Sequence, residues 1–304
     1  VERGEVDMRV TFNTNMADLQ HAIGVASDQM VTAQRQLSTG RRLNVASDDP
    51  NDASAAVAER TEMAATEQYK AAADSVTSRL SVLDSALSEL VNQATSAQSA
   101  ALSARGSVLK PTQREAIASE LETIRDAVVT IMNTRFRGTY LFSGNEPTVA
   151  PYTKSGTTIS DYQGGSGSVE VDIDRQAAVR VGFPGDEVIK GSSSQDLIRV
   201  LDDLAAAARS GDETALADGT TALNEAFTRL TAVQSTVGND MAQVDTRKEQ
   251  LNIRTLSSQT RLSKLEDADL SKAVSDMNRA DIAYQAALKA VGNASKPTLL
   301  DYLT

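Results

Sequence analysis

Apolar residues recur at steps of three and four along both ends of this chain, and no other feature constrains its fold as much. Near the start they run Met16, Leu19, Ile23, Ala26, Met30, Ala33, Leu37. Near the end they run Ala273, Met277, Ala280, Tyr284, Ala287, Val291. At 3.6 residues per turn each set falls on one face, which predicts two helices built to pack along a seam. Gly40 stands where the first helix should stop and a left-handed residue is favoured. A lone helix of roughly 25 residues is marginal in water, so the two ends need each other, further copies of the chain, or both.

The inner segments repeat the pattern. One runs Ala65, Tyr69, Ala72, Val76, then Leu80, Leu83, Leu87, Leu90, Ala94, Ala97, Ala101. Its extra step of four at Val76 reads as a stutter. Gly106 and Pro111 punctuate, and a third helix shows Ile117, Leu121, Ile124, Val128, Ile131 and stops near Gly138. Later, Leu223, Ala226, Leu230, Val233, Val237 take another step of four into Met241, Val244, Leu251, Leu262, Leu265. Lys248, Thr255 and Ser258 put polar groups on that seam, where such groups can fix register. The phase breaks at "EDADLS" (266–271).

The middle is different. Residues 138–192 hold nine of the 17 glycines. "SVEVDID" (168–174) and "AVRVGF" (178–183) alternate apolar and polar residues around a short turn, which predicts a β-hairpin. Residues 194–212 return to a helical pattern. The expected fold is mainly α with a β insertion (α+β): an elongated nested rod, coiled-coil helices from both chain ends, and a small central β-rich domain. Residues 8–45 and 267–304 form the terminal helices, 46–138 and 193–266 the helical rod, and 139–192 the insertion. Residues 1–7, before Met8, read as a start-site remnant outside the fold.

Charge follows this plan. The net charge is −11, which disfavours nucleic acid as a partner. Residues 8–45 carry +2 and 268–304 carry 0, whereas 46–267 carry −11. Near-neutral ends are the better candidates for packing. No apolar run approaches the ~18 residues of a membrane span, and the start lacks the pattern of a cleaved secretory signal.

The corner "RRLNVASDDPND" (41–52) is the one place that could carry chemistry. Asp48, Asp49 and Asp52 could in principle bind a metal or do acid–base work. The same residues also spell a helix start, with Asp49 at the N-cap, Pro50 at the first position and Asp52 in the first turn. The second reading is favoured, because no other ligand-rich motif supports the first. His21, the only histidine, lies off the seam and should face solvent. HExxH, GxSxG and P-loop motifs are absent. Gly164, Gly165 and Gly167 in "GGSG" read as a flexible loop. With no cysteine, thiol chemistry is excluded. The expectation is a non-enzyme without catalytic residues, metal or cofactor. Gly40, Arg41, Arg42, Asp48, Asp49, Pro50 and Asp52 then read as the exit from the terminal helix followed by the start of the next.

Three stretches resemble the bacterial flagellin family: "MRVTFNTNMADLQHAI", "QLSTGRRLNVASDDPNDASAA" and the closing "LEDADLSKAVSDMNRADIAYQAALKAVGNASKPTLLDYL". "NTRFRGTYLFSGNEPTVAPY" (133–152) and the "LLDYL" ending are similar to the members that join hook to filament. The resemblance covers residues 8–152 and 195–304. It implies an extracellular flagellar component, exported unfolded through the type III channel without a cleaved signal. It implies terminal helices in an inner tube (domain zero), a surrounding helical layer (domain one) and an outward insertion (domain two), with residues 40–52 as the elbow joining tube to layer and Arg41 and Arg42 free to meet acidic surfaces of neighbouring copies. The partners it implies are further copies in a ring, hook-associated protein 1, flagellin, and an export chaperone on the C-terminal segment. The assembly interface would then comprise Met16, Leu19, Ile23, Met30, Leu37, Met277, Tyr284, Val291, Leu299, Leu300, Tyr302 and Leu303. Filament flagellin is the alternative within the family.

Overall fold

The computed structural model describes residues 3–105, 109–193 and 195–294. In chain order these form α1 (Arg3–Thr39), α2 (Pro50–Arg105), α3 (Pro111–Met132), β1 (Arg135–Phe136), β2 (Thr139–Tyr140), β3 (Lys154–Ser155), β4 (Thr158–Ile159), β5 (Val169–Asp174), β6 (Ala177–Gly182), α4 (Gly185–Ile189), α5 (Leu197–Ser210), α6 (Glu213–Glu266) and α7 (Leu270–Ala294). The class is mainly α with small antiparallel strand pairs in the middle, as the periodicities predict. Two compact units result: Val1–Ala65 with Thr255–Thr304, and Thr66–Arg254. The terminal unit therefore takes in the start of α2 and the end of α6 besides the terminal helices. Helix α1 begins at Arg3, so residues 3–7 are helical rather than outside the fold.

In the terminal unit α1 packs along α7. Gly40 at the end of α1 bonds to Ala268 just before α7, so the two helices run antiparallel. The seam is lined by small residues: Ala26, Ala33, Ala273 and Ala280 are all buried. Leu19, Ile23, Met30 and Leu37 share the α1 face and are only half-buried.

In the larger unit one hydrophobic core joins α2, α3, α5, α6 and the insertion. Helix α2 contributes Ala73, Val76, Leu80, Leu83, Leu87, Leu90, Ala94, Ala97 and Ala101. Each buried leucine of this stripe contributes about 1.5–3 kcal/mol relative to an exposed one. The stutter expected at Val76 is absent. Thr66 and Ala73, not Ala65 and Ala72, are the buried residues, so the three–four spacing continues without a break. The apolar pattern misleads there because the seam position is a threonine. On α6 the step of four after Val237 stands, with Val237 and Val244 fully buried and Met241 packed against them. The polar seam positions find partners: Lys248 pairs with Asp74 at 2.7 Å, and Ser258 accepts from Arg261 at 2.9 Å.

Helix α3 stops at Met132, six residues before Gly138. Gly138 instead turns the β1–β2 hairpin together with Arg137, both at positive φ (85° and 49°), the signature of a type I′ turn. The hairpin expected at 168–183 forms as β5–β6, with Ile173, Val179, Val181 and Phe183 turned into the core. The "GGSG" stretch is a packed glycine cage rather than a flexible loop. Asn145 Oδ1 accepts from the Gly167 amide at 3.3 Å, and Gly165 donates to the Ser143 carbonyl at 3.0 Å. A Cβ on Gly165 would lie 1.8 Å from Asn145 Oδ1.

Candidate assembly site: the elbow and the terminal helix pair

The elbow is built from caps. Gly40, at φ 69°, ends α1 and donates to the Gln36 carbonyl at 2.9 Å. Asp48 Oδ2 accepts from the amides of Asn44 (2.9 Å) and Val45 (3.0 Å), closing a tight turn. Asp49 Oδ1 accepts from the amides of Asn51 (3.2 Å) and Asp52 (3.1 Å), which is the N-cap geometry of α2. Pro50 is the first helical residue, where its missing N–H leaves nothing unpaired. The start of α7 repeats the device, with Asp269 Oδ1 accepting from the Lys272 amide at 3.0 Å.

These bonds set the electrostatics. The amides of Val45 and Asn44 hold the Asp48 carboxyl below its ordinary range. The Asp52 amide, and then Arg42, do the same for Asp49. Each of the two carboxylates is thus occupied by the chain's own donors. Among the described residues no group of three or more His, Cys, Asp or Glu is placed to hold a metal ion.

The two arginines differ from the expectation that they are free for neighbours. Arg42 pairs with Asp52, lies 3.5 Å from Asp49 and donates to the Leu265 carbonyl at 2.8 Å. Its backbone amide donates to the Glu266 carbonyl at 2.6 Å. It therefore clasps the start of α2 to the end of α6. The reason is local: three acceptors converge within the chain, and a planar guanidinium matches them. Arg41 lies 3.6 Å from Glu266, whose side chain is buried (6 % exposed). Arg60 approaches the same carboxylate at 2.7 Å, as an ion pair rather than an aligned hydrogen bond. Glu266 and Arg60 were not legible as a pair, because they lie 206 residues apart and neither belongs to a motif.

Of the residues expected at an assembly interface, Met16, Leu19, Ile23, Met30 and Leu37 of α1 and Met277, Tyr284 and Val291 of α7 are half-buried. On α1 they share the face that carries the buried Ala26 and Ala33, and on α7 the face of Ala273 and Ala280. Leu299, Leu300, Tyr302 and Leu303 lie outside the described residues. The seam reading passes over a second set on α7. Leu270, Val274, Ile282 and Leu288 are 44–68 % exposed and lie off the seam, with Ile282 on the far side of the helix. Leu270, Val274 and Ile282 stand at multiples of four residues and Leu288 six further on, so this second apolar set was there to be found in the sequence. His21 is exposed.

Comparison with known proteins adds to this geometry. The model of the bacterial flagellin N-terminal helical region matches residues 11–146, and that of the C-terminal helical region matches residues 220–303. The chain is 26 % identical over 304 residues to flagellar hook-associated protein 3 of Escherichia coli K12, covering 92 % of this chain and 95 % of that one. Its fold is similar to the crystal structure of Xanthomonas campestris FlgL (TM-score 0.61, 18 % identity, 67 % of this chain and 99 % of that one). It is also similar to that of the flagellar junction protein FlgL of Legionella pneumophila (TM-score 0.58, 13 % identity, 70 % of this chain and 100 % of that one).

Proposed function

This chain belongs to the bacterial flagellin family, and on that premise we propose that it is the junction protein between hook and filament. One observation carries the reading: the likeness to hook-associated protein 3 runs almost end to end, through both terminal helices and the insertion. The role is structural. The partners are further copies in a ring, hook-associated protein 1 on the hook side and flagellin on the filament side. The chain leaves the cell unfolded, with an export chaperone holding its C-terminal segment, and completes its fold on assembly. It works outside the cell. Among the described residues no helix is long and apolar enough to cross a membrane.

In this reading the α1–α7 pair belongs to the inner tube, residues 46–138 and 193–266 to the surrounding layer, and 139–192 to the outward domain. The half-buried edge of the α1–α7 seam and the exposed α7 stripe receive neighbouring copies. Such apolar stripes on one helix mark an interaction surface when they are contiguous. The elbow, clasped by Arg42, ties the end of α1 to the start of α2 and the end of α6 within the terminal unit.

The test is a strain lacking this gene. Intact hooks, absent filaments and flagellin shed into the medium, all reversed by the wild-type copy, are the expected result. Normal filaments would refute the junction role. Long filaments grown from the purified chain alone would assign it to flagellin instead.

A further inference from the structure

A cleft of about 310 Å³ opens in the larger unit beside the first turn of α5. Two tyrosine rings line it, Tyr152 and Tyr162, with centroids 5.8 Å apart and planes tilted by 53°. The Tyr162 hydroxyl is satisfied: it donates to the Phe142 carbonyl at 2.9 Å, with the Gly165 carbonyl at 3.1 Å. Tyr152 is 1 % exposed and its backbone is fixed by the Asn133 side chain, which donates to its carbonyl (2.8 Å) and accepts from its amide (3.1 Å). Yet its own hydroxyl has no hydrogen-bond partner among the described residues. Buried hydroxyls are rarely left so, and each exception calls for a missing partner.

The surroundings say what that partner is. Asp161, Asp186 and Asp196 share the cleft with the Tyr152 hydroxyl, and Arg199 closes one side through its pair with Asp161. Burial, and then the nearby carboxylates, push the Tyr152 phenol up, and burial pushes Tyr162 up to about 12, so both stay protonated. A buried phenol O–H at the cleft wall donates, while carboxylate oxygens accept. A group seated between them must therefore accept from one and donate to the other. Lys190 and Arg199 also line the cleft, but Arg199 is paired with Asp161 and the three carboxylates leave the lining net negative, which disfavours an anion, while an ammonium cannot accept. A hydroxyl does both. The tyrosine rings supply an apolar surface for the C–H face of such a ligand.

We propose that this cleft binds a neutral polyhydroxylated ligand of pyranose size, held by the Tyr152 hydroxyl and the aspartates around it. The volume stands at the small end of ligand pockets, which suits a single ring. The site is independent of the junction role: it lies in the larger unit and uses none of the elbow or terminal residues.

The test is a heteronuclear NMR titration of the full chain with glucose, galactose, mannose and N-acetylglucosamine. Saturable shifts at the amides of Gly165, Asp196 and Arg199 with at least one sugar are expected. Tyr152→Phe removes only the hydroxyl and should weaken that binding about tenfold, the effect of losing one hydrogen bond worth about 1.4 kcal/mol. Asp186→Asn, on the rim, should weaken it about threefold with the fold untouched, and serves should the tyrosine variant fold poorly. No saturation with any of the four sugars overturns the proposal. So does unchanged sugar binding in a folded Tyr152→Phe variant, or in Asp186→Asn alone should that be the only variant that folds.

Discussion

Arg42 offers the sharpest test of how the elbow is held. Its guanidinium gathers Asp52, Asp49 and the Leu265 carbonyl, so it acts as an internal clasp rather than a contact for neighbours. Charge-assisted bonds contribute about 1.5–3 kcal/mol when well shielded. The Arg42 and Asp52 side chains are 38 % and 35 % exposed, so solvent screening lowers the expected coupling to about 1–2 kcal/mol. Arg42→Ala and Asp52→Ala should each speed amide exchange in residues 40–53 and 263–273 by about 5–30-fold, the range that 1–2 kcal/mol spans. The double variant should be no worse than the larger single effect plus a few tenths of a kcal/mol, since the shared interaction is lost only once. Arg42→Lys keeps the charge but not the planar fork, and should recover less than half of the loss. Exchange is read by mass spectrometry on assembled and free chain alike. Strict additivity of the two single substitutions, or exchange unchanged in Arg42→Ala together with failed assembly, would refute the clasp and return Arg42 to a neighbour's surface.

Other expectations can be checked with less effort. Gly40 and Gly144 both have positive φ, but a Cβ meets nothing at Gly40 and lies 2.0 Å from the Gly165 carbonyl oxygen at Gly144. Urea unfolding should show Gly40→Ala losing about 1–2 kcal/mol and Gly144→Ala about 1–3 kcal/mol more, with Gly→Asn rescuing only position 40. Because Asp48 and Asp49 have lowered folded pKa values, their contribution is complete above the ordinary carboxylate range. It is lost as pH falls through their folded values, so protection factors at residues 44–53 should stay flat from pH 7 to about 5 and fall below about 4. Leu83→Ala, at a fully buried seam position, should cost about 2–5 kcal/mol in the same unfolding assay. Ile282→Glu, on the exposed α7 stripe, should leave the free chain's circular dichroism unchanged and abolish filament growth in the complemented strain.

Much of this fold was legible because packing and sequence share one period. The heptads named the faces of α1, α2, α6 and α7, and the break at 266–271 falls where α6 gives way to α7. Legibility failed where a polar or backbone group did work that periodicity does not register. Thr66 took a seam position, and an apolar count moved the stripe to Ala65 and Ala72. Gly138 belonged to a hairpin whose two-residue strands are too short to alternate visibly. The glycine cage depends on Asn145, some 20 residues away, and the Arg42 clasp on a carbonyl 223 residues away. Spacing along the chain carries no trace of such long-range partners. The elbow's helix start, by contrast, was readable in "DDPND", because caps act within four residues of themselves.

The antiparallel seam of α1 and α7 joins Ala26 and Ala33 to Ala273 and Ala280, near opposite ends of the chain. Its closure entropy is that of a loop of more than two hundred residues unless the intervening unit is folded first. The seam is thus ordered in time as well as in space. On the export route proposed above, one end first through a narrow channel, the earliest helix stays unpaired until the last has emerged. The alanine knobs bury little area each, so most of the hold comes from the flanking Leu19, Ile23, Met30 and Leu37, whose apolar face is covered only once a full-length companion lies alongside.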